Sequence, residues 1–153
     1  MGAQDLHNNI YCSRGLAPVA ATTDNTAYVS QIIDTSGFEA TEFIGITGSI
    51  ADADVTFTVL VEDGAASNLS DNAAVDDAYL LGVEAGTVTS GAAASGAAPG
   101  FADDNKTFKI GYRGPKRYVR VTITPAANSG NIYLAGVWVQ SGGRLRPHTT
   151  QVR

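Results

Sequence analysis

Cysteine occurs once in the 153 residues, at Cys12. A single thiol cannot close an internal disulfide, so nothing in the chain demands an oxidising compartment. Histidine occurs only at His7 and His148, both near the ends. A Cys/His or Ser/His/Asp site would have to be assembled from terminal segments, where geometry is poorly held. Paired Cys or His at zinc-ligand spacing is missing too. No window approaches ~20 consecutive apolar residues, which excludes a helical membrane span. Charged residues make up only 16% of the chain, with 44% apolar. That combination excludes a solvating, disordered polymer. Gly111-Tyr-Arg-Gly114 followed by Pro115-Lys116 lacks both the spacing and the following helix of a phosphate-binding loop.

Basic residues are missing over a long stretch. From Gly15 to Asn105 there are fourteen Asp/Glu and no Lys/Arg; from Lys106 to Arg153 there are nine Lys/Arg and no Asp/Glu. Asp5 and Arg14 stand outside these blocks. Such asymmetry marks a binding pole, or two halves that neutralise each other inside one fold. Lys106, Lys109, Arg113, Lys116, Arg117 and Arg120, interleaved with Tyr112 and Tyr118, have the makings of a stacking-plus-phosphate surface. The net charge of −5 argues against nucleic acid as the partner.

What is present is β pattern. Val55 to Glu62 alternates, with Val55, Phe57, Val59 and Val61 on one face. Arg117 to Thr124 alternates again, with Val119, Val121 and Ile123 inward. Asn131 to Gln140 carries Ile132, Leu134 and Trp138 on one face and Tyr133, Val137 and Val139 on the other. A strand apolar on both faces is central or covered on its second side. Tyr28 to Ile33, Thr41 to Thr47, Tyr79 to Val83 and Thr107 to Tyr112 are shorter β-prone runs. Turn sequences such as Asp34-Thr-Ser-Gly37, Glu62-Asp-Gly64 and Asn128-Ser-Gly130 separate them.

The expected fold is therefore all-β: an antiparallel β-sandwich or jelly-roll-like single domain. Residues 1–26 show no sustained period and read as an extended N-terminal arm. Residues 27–140 form the sandwich, with 86–100, rich in Ala and Gly, as a mobile surface loop. Residues 141–153 are a short C-terminal tail. Neither enzyme activity nor a cofactor is expected. Asp52 with Asp54, and Asp103 with Asp104, read as solvated turn carboxylates, since neither pair continues into a calcium-loop pattern.

An ordered set of segments carries a family resemblance. It comprises Asp5-Leu-His-Asn-Asn-Ile10, Ala17-Pro-Val-Ala-Ala21, Ile33-Asp34 with Gly37-Phe-Glu39, and Thr56-Phe-Thr-Val59. It continues through Asp77-Ala-Tyr-Leu-Leu-Gly82 and Ile110-Gly-Tyr-Arg-Gly114 into Lys116-Arg-Tyr-Val-Arg120. In these the chain resembles the capsid decoration (cement, or head auxiliary) proteins of tailed bacteriophages. The resemblance implies a virion structural protein, assembled in the host cytoplasm and placed on the outer capsid surface. Its partners would be the major capsid protein, whose subunits it bridges, and neighbouring copies of itself in a dimer or trimer.

On that reading Leu6, Ile10, Tyr11 and Leu16 are the arm's anchors on the capsid. Deleting residues 1–16 is then expected to abolish capsid binding and leave the domain folded. Arg113, Lys116, Arg117 and Arg120 form a basic pole for acidic capsid surface, or pair internally with Glu39, Glu42, Glu62 or neighbours. Tyr133, Val137 and Val139 offer a self-association face, or an ordinary second core face. The alternative function is a carbohydrate- or receptor-binding sandwich displayed on a virion or cell, using Tyr28, Tyr79, Tyr112, Tyr118 and Trp138 as sugar platforms.

Overall fold

The computed structural model describes residues 5–82, 87–89 and 105–144. In chain order the strands are β1 (Ile10–Leu16), β2 (Tyr28–Val29), β3 (Ile33–Asp34), β4 (Ala40–Ile50), β5 (Thr56–Gly64) and β6 (Ala73–Ala74). After a 3-10 turn at Asp77–Tyr79 come β7 (Leu80–Leu81), β8 (Thr87–Thr89), β9 (Thr107–Tyr112), β10 (Tyr118–Ala126) and β11 (Ile132–Ser141). Among the described residues no helix is long and apolar enough to cross a membrane.

Two antiparallel sheets face each other, so the chain is an all-β sandwich. One has the order β1-β11-β4-β9-β7. In the other, β10 and β5 form the centre, with β2 and β3 on the far side of β10 and β6 and β8 on the far side of β5. The alternation read in the sequence sets the inward faces. Val55, Phe57, Val59, Val61, Val119, Val121 and Ile123 meet Phe43, Ile110, Ile132, Leu134 and Trp138 in one buried cluster. Each fully buried side chain of this size stabilises by roughly 1.5–3 kcal/mol before ordering costs.

Three glycines shape the inner face of the larger-stranded neighbour pairings. Gly45 and Gly136 lie opposite each other on β4 and β11. A Cβ on Gly45 would fall 2.1 Å from the Phe108 ring, and one on Gly136 would fall 2.5 Å from the Phe43 ring. Gly15 on β1 would meet Phe43 as well, at 2.7 Å. The missing side chains leave a hollow that the two rings fill, and Trp138 packs edge-on against Phe43 at 5.2 Å.

Two expectations about organisation are corrected. Ile10–Leu16 is not part of an arm: it pairs with β11 from Ile10↔Ser141 to Leu16↔Gly136 and forms an edge of the five-stranded sheet. Thr22 also bridges to Ile132, so the sandwich begins well before residue 27. Thr87–Thr89 pairs with Thr56–Thr58 instead of lying in a loop. The rest of 86–100 and the tail from residue 145 lie outside the described residues.

Candidate functional site

The basic pole expected at β9–β10 is largely internally paired. Arg117 clasps Asp34 with nitrogen–oxygen distances of 2.8–3.2 Å, and its guanidinium lies 5.1 Å from the centre of the Tyr118 ring. Arg120 pairs with Glu62 directly across the β10–β5 ladder, at 2.7 Å. Arg113 donates to the Ala78 carbonyl at 3.0 and 3.2 Å. The Lys116 side chain is exposed and lies within electrostatic reach of Asp71. Across β3, β10 and β5, two acids from the first block, Asp34 and Glu62, meet two bases from the second, Arg117 and Arg120. Arg117 holds the Asp34 carboxyl well below its ordinary range, at about 2.

The corner between β9 and β10 is built for rigidity. Tyr112 is buried and donates its hydroxyl to Asp63 at 2.7 Å, while the Lys116 N–H donates to that same hydroxyl at 3.1 Å. Burial, then the hydrogen bond and charge of Asp63, push the Tyr112 phenol far up. A Cβ on Gly114 would sit 2.4 Å from the Tyr112 hydroxyl, which explains the Gly in Gly111-Tyr-Arg-Gly114.

The candidate sugar platform is not assembled. Tyr28, Tyr112 and Trp138 are core residues with 7%, 5% and 1% exposure. Their polar tips are used internally: Tyr28 donates to the Ile132 carbonyl and Trp138 to the Gln31 carbonyl. Tyr79 is exposed and Tyr118 half-buried.

The arm anchors divide. Leu16 is 5% exposed and belongs to the core, so it is not available to a capsid. Ile10 and Tyr11 are half-buried in β1, and the Tyr11 ring sits 5.7 Å from Phe38. Leu6 is 67% exposed. Of the acidic pairs, Asp52 accepts from the Asp54 N–H, the Ser129 N–H and the Ser129 hydroxyl, which is the work of a turn carboxylate. Asp103 and Asp104 lie outside the described residues. Among the described residues no three His, Cys, Asp or Glu side chains gather as a metal site.

The surface that remains is the outward face of the five-stranded sheet. Register places Arg14, Val137, Ile44 and Lys109 in one cross-strand row and Cys12, Val139, Glu42 and Gly111 in the next. Ala135 and Ile46 form a third. Tyr133, Val137, Ile46 and Leu81 are exposed, and Ile44, Ala135 and Val139 are half-buried. Among the described residues no element lies over this face. Tyr133, Val137 and Val139 are thus outward, as the alternation expects, and are not a second core face. The sequence reading missed Ile44, Ile46, Ala135 and Cys12, whose outward phase follows only once β4 and β1 are placed beside β11. Glu42 sits among these apolar groups, and burial raises its pKa while Lys109 opposes the shift.

Toward the β1 side this face sinks into a groove of about 400 Å³, lined by Cys12, Arg14, Pro18, Ile46, Ala135 and Val137 among others. Beside it β1 shifts register between Arg14 and Leu16, and Leu16 is buried.

No family model and no curated protein matches the chain. Similar solved structures include the CBM22-1–GH10 modules of the Clostridium thermocellum endo-1,4-beta-D-xylanase 10B complexed with xylohexaose. That match has 10% identity and a TM-score of 0.41, covering 91% of this chain and 27% of that one. A xylan-binding domain of CBM 22 matches at 10% identity and TM-score 0.37, covering 94% of this chain and 92% of that one. The C-terminal family 22 carbohydrate-binding module of Clostridium thermocellum Xyn10B matches at 10% and 0.36, with the same coverage. Likeness at this level carries no ligand across.

Proposed function

We propose that this protein is a non-catalytic binding module that docks by the outward face of its five-stranded sheet, as a structural protein on the outside of a tailed-phage capsid. The observation that supports this reading is that face itself. It presents Ile46, Val137, Tyr133 and Leu81 to solvent, backed by half-buried Ile44 and Val139. An apolar surface, with most of the described aromatic rings turned into the core, suits protein docking better than sugar stacking. Many weak contacts of this kind become strong when repeated over one shell.

The test mixes the full chain with mature shells that lack it and images them. Ordered density on the outer surface is expected, and Ile46→Asp or Val137→Asp should abolish it while leaving the domain folded. Shells that stay bare with the unaltered protein would overturn the reading.

A displayed carbohydrate-binding module is the second reading of the same sandwich. Its support in this chain is Tyr79 and Tyr133, 41% and 44% exposed. Retention on a glycan array, weakened by Tyr133→Ala, together with bare shells would put this reading in place of the first.

A further inference from the structure

Glu42 is the only Asp or Glu in the five strands of the sheet whose outer face is apolar. It is half-buried, in the row Cys12, Val139, Glu42 and Gly111, with Leu81 paired to Gly111 beyond. Its carboxylate lies down against β9: a Cβ on Gly111 would fall 2.7 Å from the Glu42 Oε2 and 2.9 Å from the Leu81 Cβ. Among the described residues nothing donates a hydrogen bond to this carboxylate, and no cation forms an ion pair with it. Its charge is therefore held at an apolar surface with water as the main solvation.

The charged and titratable groups facing it come from two strands. β9 brings Lys109, one step diagonal, whose charge opposes the effect of burial. β1 brings Cys12 in the same row and Arg14 in the next. The neighbours on β11 and β7, Val139, Ser141 and Leu81, carry no charge, and Arg113 just beyond β9 is turned to the Ala78 carbonyl. A partner's Lys or Arg set over Glu42 would thus come up against Arg14 and Lys109, two like charges for one carboxylate. A partner's apolar group meets Val139, Ile44 and Leu81 instead. It strips the remaining water from the carboxylate, which favours the neutral acid over the ion.

We propose that the partner surface covering this face is apolar over Glu42 and carries no cation there, so that docking takes up a proton at Glu42. The inference rests on the outward face being a docking surface, and adds the chemistry of what covers it. The docked form holds the proton more tightly than the free form, so acid favours docking. Binding is strongest below the pH at which the free protein titrates. It weakens, by at most about tenfold per pH unit for one proton, as pH rises toward the titration of the docked form.

Co-sedimentation of the full chain with mature shells that lack it, from about pH 5 to about pH 8, tests this, with Glu42→Gln beside the unaltered chain. Glutamine keeps the shape and removes the titration. Taking the ratio of the two affinities cancels any titration of the shell itself. Glu42→Gln should bind about tenfold tighter than the unaltered chain near pH 8, and the two should draw together near pH 5. Circular dichroism of the two proteins should match at every pH, because Glu42 lies outside the core. A ratio that stays flat with pH would overturn the proposal and leave docking standing. So would a variant that binds more weakly near pH 8, which would put a partner cation on the carboxylate. Shells that stay bare at every pH would overturn the docking reading and this inference together.

Discussion

Single residues carry most of the inner architecture. Gly45 and Gly136 are opposite one another so that two phenylalanine rings can approach the sheet backbone. Gly45→Ala would place a methyl 2.1 Å from the Phe108 ring, a clash that only displacement of a packed side chain relieves. Overpacking of this kind costs about 1–3 kcal/mol. Urea unfolding of the variant should show a lowered midpoint at an unchanged slope. Asp34 makes a second prediction at this scale. Its folded pKa of about 2 lies below the ordinary 3.8, so the folded chain binds that proton less readily than the unfolded one. The stability it contributes is complete above about pH 4 and is lost as pH falls through about 2. The effect is modest, because the Arg117 and Asp34 side chains are 55% and 40% exposed and solvent screens the pair. Asp34→Asn should therefore be less stable than the unaltered chain at pH 6 and level with it near pH 2, by denaturant melts.

Elements decide what can be removed. β1 contributes Leu16 to the core and covers one edge of β11 along seven residues. Truncation through residue 9 should leave thermal stability nearly unchanged. Truncation through residue 16 should lower the melting temperature by several degrees or more, since it opens a cavity and strips a ladder. Calorimetry of the two truncations separates a detachable arm from an integral strand. β4, β5, β9, β10 and β11 were legible in the sequence because their apolar residues alternate. Thr107–Tyr112 agrees to the residue, and the two faces of β11 were read in the right phase. β1 was not legible. Its segment Ile-Tyr-Cys-Ser-Arg-Gly-Leu carries Gly and polar residues, and its register shift breaks the period. β2, the start of β3 and β7 fall inside the β-prone runs Tyr28 to Ile33 and Tyr79 to Val83, whereas β6, two residues at Ala73–Ala74, is too short for any period to register. The site was half legible for a related reason: Tyr133, Val137 and Val139 announce an outward apolar row. Their neighbours Ile44 and Ile46 join it only through long-range pairing. Tyr112 and Tyr28 read as surface aromatics because sequence does not reveal that their hydroxyls find buried partners.

At the scale of the whole molecule, two arginines of the expected basic pole are turned to partners within the fold. Arg117 and Arg120 meet Asp34 and Glu62 from the opposite half of the chain. They have little left to offer an acidic partner. If docking on a shell is carried by the apolar sheet face, its affinity should change less than about threefold between 50 mM and 500 mM salt. Co-sedimentation with shells measures this directly. A steep loss of binding with salt would return the basic pole to the centre of the mechanism.

The pairing of β1 with β11 also settles how the molecule yields to load. Ile10 lies opposite Ser141, so the first and last of these strands end side by side at one corner. Tension applied between those two points would not drag the ladder lengthwise with all its bonds strained together. It would peel β1 away one rung at a time, beginning at Ile10. A particle under internal pressure that tethered this protein by those points would therefore find it mechanically soft; one that gripped the broad sheet face would leave the zipper unloaded.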